Sequence, residues 1–187
     1  MFKKIWRFIW YDDSLLSWIV SILLAFIIVK FIIFPGLGFL LNTQLPVVAV
    51  VSGSMEHNGD FDKFWERQGS WYEENSITKE EFKNYPMKNG FNKGDIIFLY
   101  GSKNLKTGDI IVFKGNSQNP IIHRLVKIND GSYQTKGDNN QDSFKELNET
   151  NINPGNVIGK AFLRIPYLGW VKIGFTNLIS YLPGGLS

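Results

Sequence analysis

The chain of 187 residues contains no cysteine. Disulfide staples, thiolate metal sites and cysteine nucleophiles are thereby excluded, and sortase-like transpeptidation with them. Histidine is scarce, with only His57 and His123, and two imidazoles among scattered carboxylates lack ligand spacing such as His-Glu-x-x-His. A phosphate-cradling glycine loop is missing too. Charge of one sign is equally short: twenty Lys and Arg against seventeen Asp and Glu leave +3, far from the basic surplus that marks nucleic-acid binding on charge alone. No cofactor, no metal and no nucleic-acid partner is therefore expected. The length suits one domain of ordinary size, or a small domain with an anchor.

What the chain does have is an uneven distribution of apolar residues. Residues 15–34, LLSWIVSILLAFIIVKFIIF, carry Lys30 as their only charge; as a helix they span roughly 30 Å, one bilayer crossing. No face of the segment is polar, which argues against a buried soluble helix, and Lys30 lies near one end, where it can snorkel. The run is longer than the apolar part of a cleaved signal peptide, and Phe34-Pro35-Gly36-Leu37 offers no small-x-small cleavage site. The reading is an uncleaved signal anchor. Lys3, Lys4 and Arg7 precede it, and no basic residue follows from Pro35 until Lys63, so the positive-inside bias puts residues 1–14 in the cytoplasm and residues 35–187 outside it. Trp6, Trp10 and Tyr11 suit an aromatic belt on the inner side.

Beyond the anchor, sixteen basic residues face fifteen acidic ones, the balance of an ordinary soluble module. Apolar runs separated by Gly, Asn and Pro predict strands over 46–51, 96–100, 110–113, 121–128, 133–135 and 157–165, hence a mainly β domain. KGDIIFLYG at 93–101 returns as TGDIIVFKG at 107–115, each a Gly-Asp turn opening an apolar strand. Residues 58–92 change character to charged and aromatic, and Thr78-Lys79-Glu80-Glu81 reads as a capped helix start, so this stretch is expected to be a surface insertion, partly helical. Residues 165–182 are apolar but broken by Pro166, Gly169, Lys172 and Gly174, which predicts a segment lying in the membrane interface, with Trp170, Phe175, Leu178 and Tyr181 at the bilayer surface.

Candidate chemistry begins at VVAVVSGSMEH, 47–57, where Ser52 and Ser54 flank Gly53 just after a strand of small apolar residues. On its own, Ser-Gly-Ser reads as a turn. Downstream, His123 sits in the apolar PIIHRLVKI, where an imidazole is either a satisfied core residue or a functional one. A strand then runs into Gly137-Asp138-Asn139-Asn140, with a second carboxylate at Asp142. Asn148-Glu149-Thr150 is a glycosylation acceptor sequence compatible with an exported domain.

In this order, SGSM at 52–55, KGDIIF at 93–98, TGDIIVF at 107–113, IHR at 122–124 and TKGDNN at 135–140, with GKAFLRIPYLGW at 159–170, resemble type I signal peptidases of the archaeal and endoplasmic-reticulum kind. The resemblance covers the anchor and most of the exported part, but not residues 58–92. It implies a β-rich catalytic domain in which Ser54 is the nucleophile. His123 stands at the general-base position, held by a lysine in the bacterial branch, and Ser52 joins the backbone N–H of Ser54 in the oxyanion hole. A serine hydroxyl is unreactive at its own pKa, and an imidazole within hydrogen-bond reach supplies the missing base. The family places a second aspartate about six residues beyond that of Gly-Asp-Asn-Asn, where this chain has Phe144. The orienting carboxylate is then Asp142, through a shortened loop, or Asp138. His57, where the family commonly has proline, is the less suited base. The function implied is a membrane-anchored serine endopeptidase cutting signal peptides from exported preproteins after a small residue, at the cell membrane or, in a eukaryote, the endoplasmic-reticulum membrane. Its partners are the preproteins, membrane lipid and the export machinery. Two alternatives stand beside it: a non-catalytic tethered module of the same fold, and a self-processing serine protease.

Overall fold

The computed structural model describes residues 2–170, and the chain divides into two units, Met1–Leu41 and Asn42–Ser187. In the first, α1 (Phe2–Tyr11) is joined by Asp12, Asp13 and Ser14 to α2 (Leu15–Ile28). Ser14 caps α2 by accepting the Ser17 N–H, and its own N–H donates to Asp12. The hydroxyls of Ser17 and Ser21 reach back to the carbonyls of Phe8 and Ile9, tying the two helices together.

The apolar helix does not end at Phe34. It continues through a π turn, Val29–Ile33, into α3 (Phe34–Leu40), giving 26 unbroken helical residues, Leu15–Leu40, of which the most apolar 18 have a mean hydropathy of 2.7. Pro35 brings no N–H and crowds the carbonyl four residues back, which ordinarily breaks a helix. Here the wider turn, in which the Phe34 N–H reaches the Val29 carbonyl, makes room for the ring. At about 1.5 Å per residue the helix is long enough for the ~30 Å hydrocarbon core of a bilayer.

The second unit contains β1 (Val47–Ala49), α4 (Phe61–Glu74), α5 (Lys79–Lys83), β2 (Ile96–Tyr100), β3 (Ile110–Phe113), β4 (Ile121–Asn129), β5 (Ser132–Lys136) and β6 (Val157–Ile165). The strands form one sheet, β1-β2-β6-β3-β4-β5, antiparallel at every pairing. This is the β-rich domain expected from the sequence. β4 and β5 form a hairpin closed by Asp130 and Gly131, with Gly131 at φ +80.

The duplicated Gly-Asp phrase has a duplicated structure. Asp95 accepts the Asn92 N–H at 2.8 Å and Asp109 accepts the Lys106 N–H at 2.8 Å, while Gly94 and Gly108 take φ +90 and +94, open to glycine at little cost. β2 and β3 then flank β6 from either side, and β6 supplies a cation to each buried turn: Arg164 to Asp95 at 2.6 Å and Lys160 to Asp109 at 2.7 Å. Ile97, Leu99, Ile110 and Val112 pack with Val50, Met55 and Ala161 in the central core.

Residues 58–92 are partly helical, as the sequence predicts. α4 is capped by Asp60, and α5 opens with a full capping box between Thr78 and Glu81. The segment is not an ornament on the surface, however. Phe64, Trp65, Tyr72, Ile77 and Phe82 are buried in a second core that includes Val126 of β4. It is α4 and α5 that roof the reverse side of β4. Of residues 165–182, those up to Trp170 are described; Phe175, Leu178 and Tyr181 lie outside the described residues.

Candidate active site

Ser54 follows β1 in a loop pinned from across the domain. The Ser54 carbonyl accepts the Asn139 N–H at 2.8 Å, the Gly53 carbonyl accepts the Asn139 side-chain amide at 3.1 Å, and the Met55 carbonyl accepts the Phe91 N–H. Two segments far apart in sequence, SGSM and KGDNN, are therefore sewn together by hydrogen bonds to main-chain carbonyls. Met55 is fully buried beneath this junction, its sulfur accepting the Asp138 N–H.

His123 reaches the same place from β4. Its Nε2 lies 2.9 Å from the Ser54 Oγ, a hydrogen-bond distance suited to proton transfer. The Ser52 Oγ lies 3.2 Å from the Ser54 Oγ. Gly137 passes close by: a Cβ there would stand 2.9 Å from His123 Nε2 and 2.6 Å from the Asn140 side chain. This glycine is thus required by the close approach of the chain to the imidazole.

The carboxylate on the far side of the imidazole is neither of the two expected. His123 Nδ1 is hydrogen-bonded to Glu149 Oε1. Asp142 is exposed and accepts the Trp71 indole N–H at 2.9 Å and the Ser143 N–H at 2.7 Å. Asp138 lies beneath the insertion, where it accepts both Nε and Nη2 of Arg124, at 2.9 and 2.7 Å, the Tyr72 hydroxyl at 2.9 Å, and His57 Nε2 at 2.9 Å. Strand alternation explains the separation, because His123 and Arg124 are neighbours on β4 and must point to opposite faces. Arg124 takes Asp138 with it to the reverse face. Sequence reading missed Glu149 because it sits in FKELNET, a polar stretch that reads as a solvated loop.

Electrostatics follow the same division. Burial pushes the Asp138 carboxyl up, but the Arg124 guanidinium and the bonds from His57 and Arg124 outweigh it and hold it far below the usual carboxylate range. Arg124 is raised in turn: burial opposes its charge and Asp138 more than restores it. Lys136, buried over the rings of Trp71 and Tyr72, is lowered to about 8, chiefly by burial. His57 stacks on Phe64 with ring centroids 3.6 Å apart, and its Nδ1 is buried with no hydrogen-bond partner among the described residues. It stands on the reverse face, away from Ser54.

A groove of about 660 Å³ opens beside Ser54 and His123. Its walls include Val47, Ala49 and Val51 from β1 and the residues just after it, with Ile121 and Ile122 of β4 opposite. β1 is an edge strand, paired only to β2. None of residues 58–92 lines the groove.

An antiparallel sheet domain, with a Ser in the loop after an edge strand hydrogen-bonded to a His of an inner strand and a membrane-length apolar helix earlier in the chain, defines the class. No protein-family model matches the chain. Among individual proteins, it is 31% identical over 170 residues to the signal peptidase complex catalytic subunit SEC11 of Scheffersomyces stipitis, covering 83% of this chain and 81% of that one. It is 29% identical to SEC11 of Colletotrichum graminicola, over 76% of this chain and 71% of that protein. With the signal peptidase complex catalytic subunit SEC11C of Homo sapiens it shares 29% identity over 75% of its length and 62% of the human protein's. The chain thus spans less than two thirds of the length of its mammalian relatives. It belongs to the family of signal peptidase complex catalytic subunits.

Proposed function

We propose that the chain is a membrane-anchored serine endopeptidase that removes signal peptides from preproteins, with Ser54 as nucleophile and His123 as general base. The observation that carries this reading is the 2.9 Å contact between Ser54 Oγ and His123 Nε2 at the mouth of an apolar groove. In the first step, the Ser54 Oγ attacks the scissile carbonyl carbon while His123 Nε2 takes its proton. The negative charge passes to the carbonyl oxygen, received by the Ser52 hydroxyl and the Ser54 N–H. Collapse of this intermediate breaks the C–N bond, with His123 returning the proton to the leaving amine. Water, activated by the same imidazole, then hydrolyses the Ser54 ester.

Substrate chemistry follows from the groove. An extended peptide can add to the free edge of β1 by main-chain hydrogen bonds, its side chains alternating toward and away from the wall. Val47, Ala49 and Val51, with Ile122, line the groove with apolar side chains, which suits small apolar residues near the cut. The helix Leu15–Leu40 anchors the chain in the membrane, with Lys3, Lys4 and Arg7 on the cytoplasmic side and the sheet domain outside. The relatives are named catalytic subunits of a signal peptidase complex, which supports action on signal peptides within an assembly of subunits.

The test is cleavage of a purified precursor in detergent or liposomes. Ser54→Ala and His123→Ala each reduce turnover by several orders of magnitude, and the double variant adds little, because the pair acts as a unit. Near-wild-type cleavage by either folded variant overturns the assignment of nucleophile or base, and a folded wild-type protein that cleaves no precursor leaves a non-catalytic module as the better reading. His57→Ala, if folded, retains the chemistry.

A further inference from the structure

We infer that Glu149 is the positioning carboxylate of this site, so that the chain works with a Ser54–His123–Glu149 arrangement in which neither Asp138 nor Asp142 orients the base. The inference rests on the reading of Ser54 and His123 as nucleophile and base, and it names the residue that sets the imidazole's tautomer.

Five hydrogen bonds fix Glu149. Its Oε1 faces His123 Nδ1 and accepts the Thr135 hydroxyl at 3.2 Å, while its Oε2 accepts the Phe144 N–H at 2.8 Å. Its own backbone is held by the Thr135 N–H on its carbonyl at 2.9 Å and by donation of its N–H to the Phe144 carbonyl at 3.1 Å. Asn148, at φ +63, makes the turn that directs Glu149 inward after the 3₁₀ turn of 145–147. A carboxylate held this way accepts a hydrogen bond from Nδ1–H and keeps the proton on that nitrogen, leaving Nε2 bare to accept from Ser54.

Charge separates Glu149 from its competitors. Glu149 is fully buried, and among the described residues no Lys or Arg forms an ion pair with it. A buried carboxylate without a permanent cation is costly, and beyond the hydrogen bonds of Thr135 and Phe144 it gains a cationic partner when His123 becomes imidazolium during attack on the carbonyl. Asp138 is already matched by Arg124. Asp142, exposed and engaged with Trp71, has neither reach nor burial.

Two measurements on the full chain in detergent decide the matter. Precursor cleavage by Glu149→Gln falls in kcat by about 10³-fold or more with KM within about threefold, as expected when the base is held in the wrong tautomer. Glu149→Asp keeps the charge but is one methylene short, and it retains at least about tenfold more turnover than Glu149→Gln. In parallel, ¹⁵N spectra of the His123 imidazole report the proton's position directly: on Nδ1 in wild type, Asp138→Asn and Asp142→Asn, and shifted to Nε2 in Glu149→Gln. An unchanged imidazole spectrum in folded Glu149→Gln overturns the inference, as does kcat within about tenfold of wild type. A wild-type protein that cleaves no precursor removes the proposed activity, while the spectra still decide whether Glu149 holds the Nδ1 proton.

Discussion

Asp138 and Asp142 lie four residues apart in one turn, yet their surroundings assign them opposite fates. Asp138 is fully buried and neutralises a fully buried Arg124. Replacing it by Asn strands that guanidinium, and breaking one partner of a buried pair costs about 3–5 kcal/mol. Asp138→Asn therefore lowers the melting temperature steeply. Asp142 holds only an indole N–H and a neighbouring amide at the surface, so Asp142→Asn leaves both turnover and melting temperature close to wild type, within about 1 kcal/mol. Thermal melts and precursor cleavage on the two variants check both statements; a large loss of turnover in stably folded Asp142→Asn contradicts the geometry. The sequence leaves Asp142, through a shortened loop, and Asp138 both open as the orienting residue. What it does not reveal is that Trp71, from a segment outside the family's common pattern, occupies Asp142, or that Glu149 returns from a loop 26 residues beyond His123.

At the scale of elements, the segment 58–92 makes a support for the sheet rather than a wall of the site. Phe64 is fully buried, stacked on His57, and packed with Tyr72 and Phe82. Through His57 and Tyr72 this roof bonds to Asp138, whose neighbour Asn139 holds the Ser54 loop. Phe64→Ala opens a cavity in that roof and destabilises the protein by about 3–5 kcal/mol. Because no residue of the segment lines the groove, KM for precursor stays near wild type at temperatures where the variant is folded. Denaturant unfolding and low-temperature kinetics measure the two effects separately; a raised KM in the folded variant would show that the segment reaches the substrate. The helices themselves are legible in the sequence, since Asp60 and Thr78 with Glu81 are local capping signals. Their apolar face is less legible, because the core it joins is completed by Val126, on a strand that comes much later in the chain.

For the molecule as a whole, burying Lys136 makes stability depend on pH in the alkaline range. Its folded value is about 8 against an ordinary value of 10.5, so between these limits the unfolded chain binds the extra proton. Stability from this group then rises with pH from about 8 to about 10.5 and is at its lowest below 8. Lys136→Met removes the dependence. The stability of wild type relative to Lys136→Met therefore improves as pH is raised from about 8 to about 10, as measured by denaturant unfolding at each pH; a difference that stays constant across that range contradicts the burial of a lysine there.

Sequence by itself determines the parts whose physics is local: the apolar helix from its unbroken run, the Gly-Asp turns from glycine's freedom at positive φ and aspartate's reach to an N–H three residues back, and the strands from apolar runs set off by Gly, Asn and Pro; Ser54 and His123 are singled out by motif resemblance. Tertiary structure alone decides which carboxylate meets the imidazole. Strand alternation sends His123 and Arg124 to opposite faces, and each face then gathers its own partner from distant chain, Glu149 through the loop that bonds to β5, Asp138 through the insertion's aromatic roof. Charge at a single position carries no record of that choice, because burial and pairing are properties of the packed sheet.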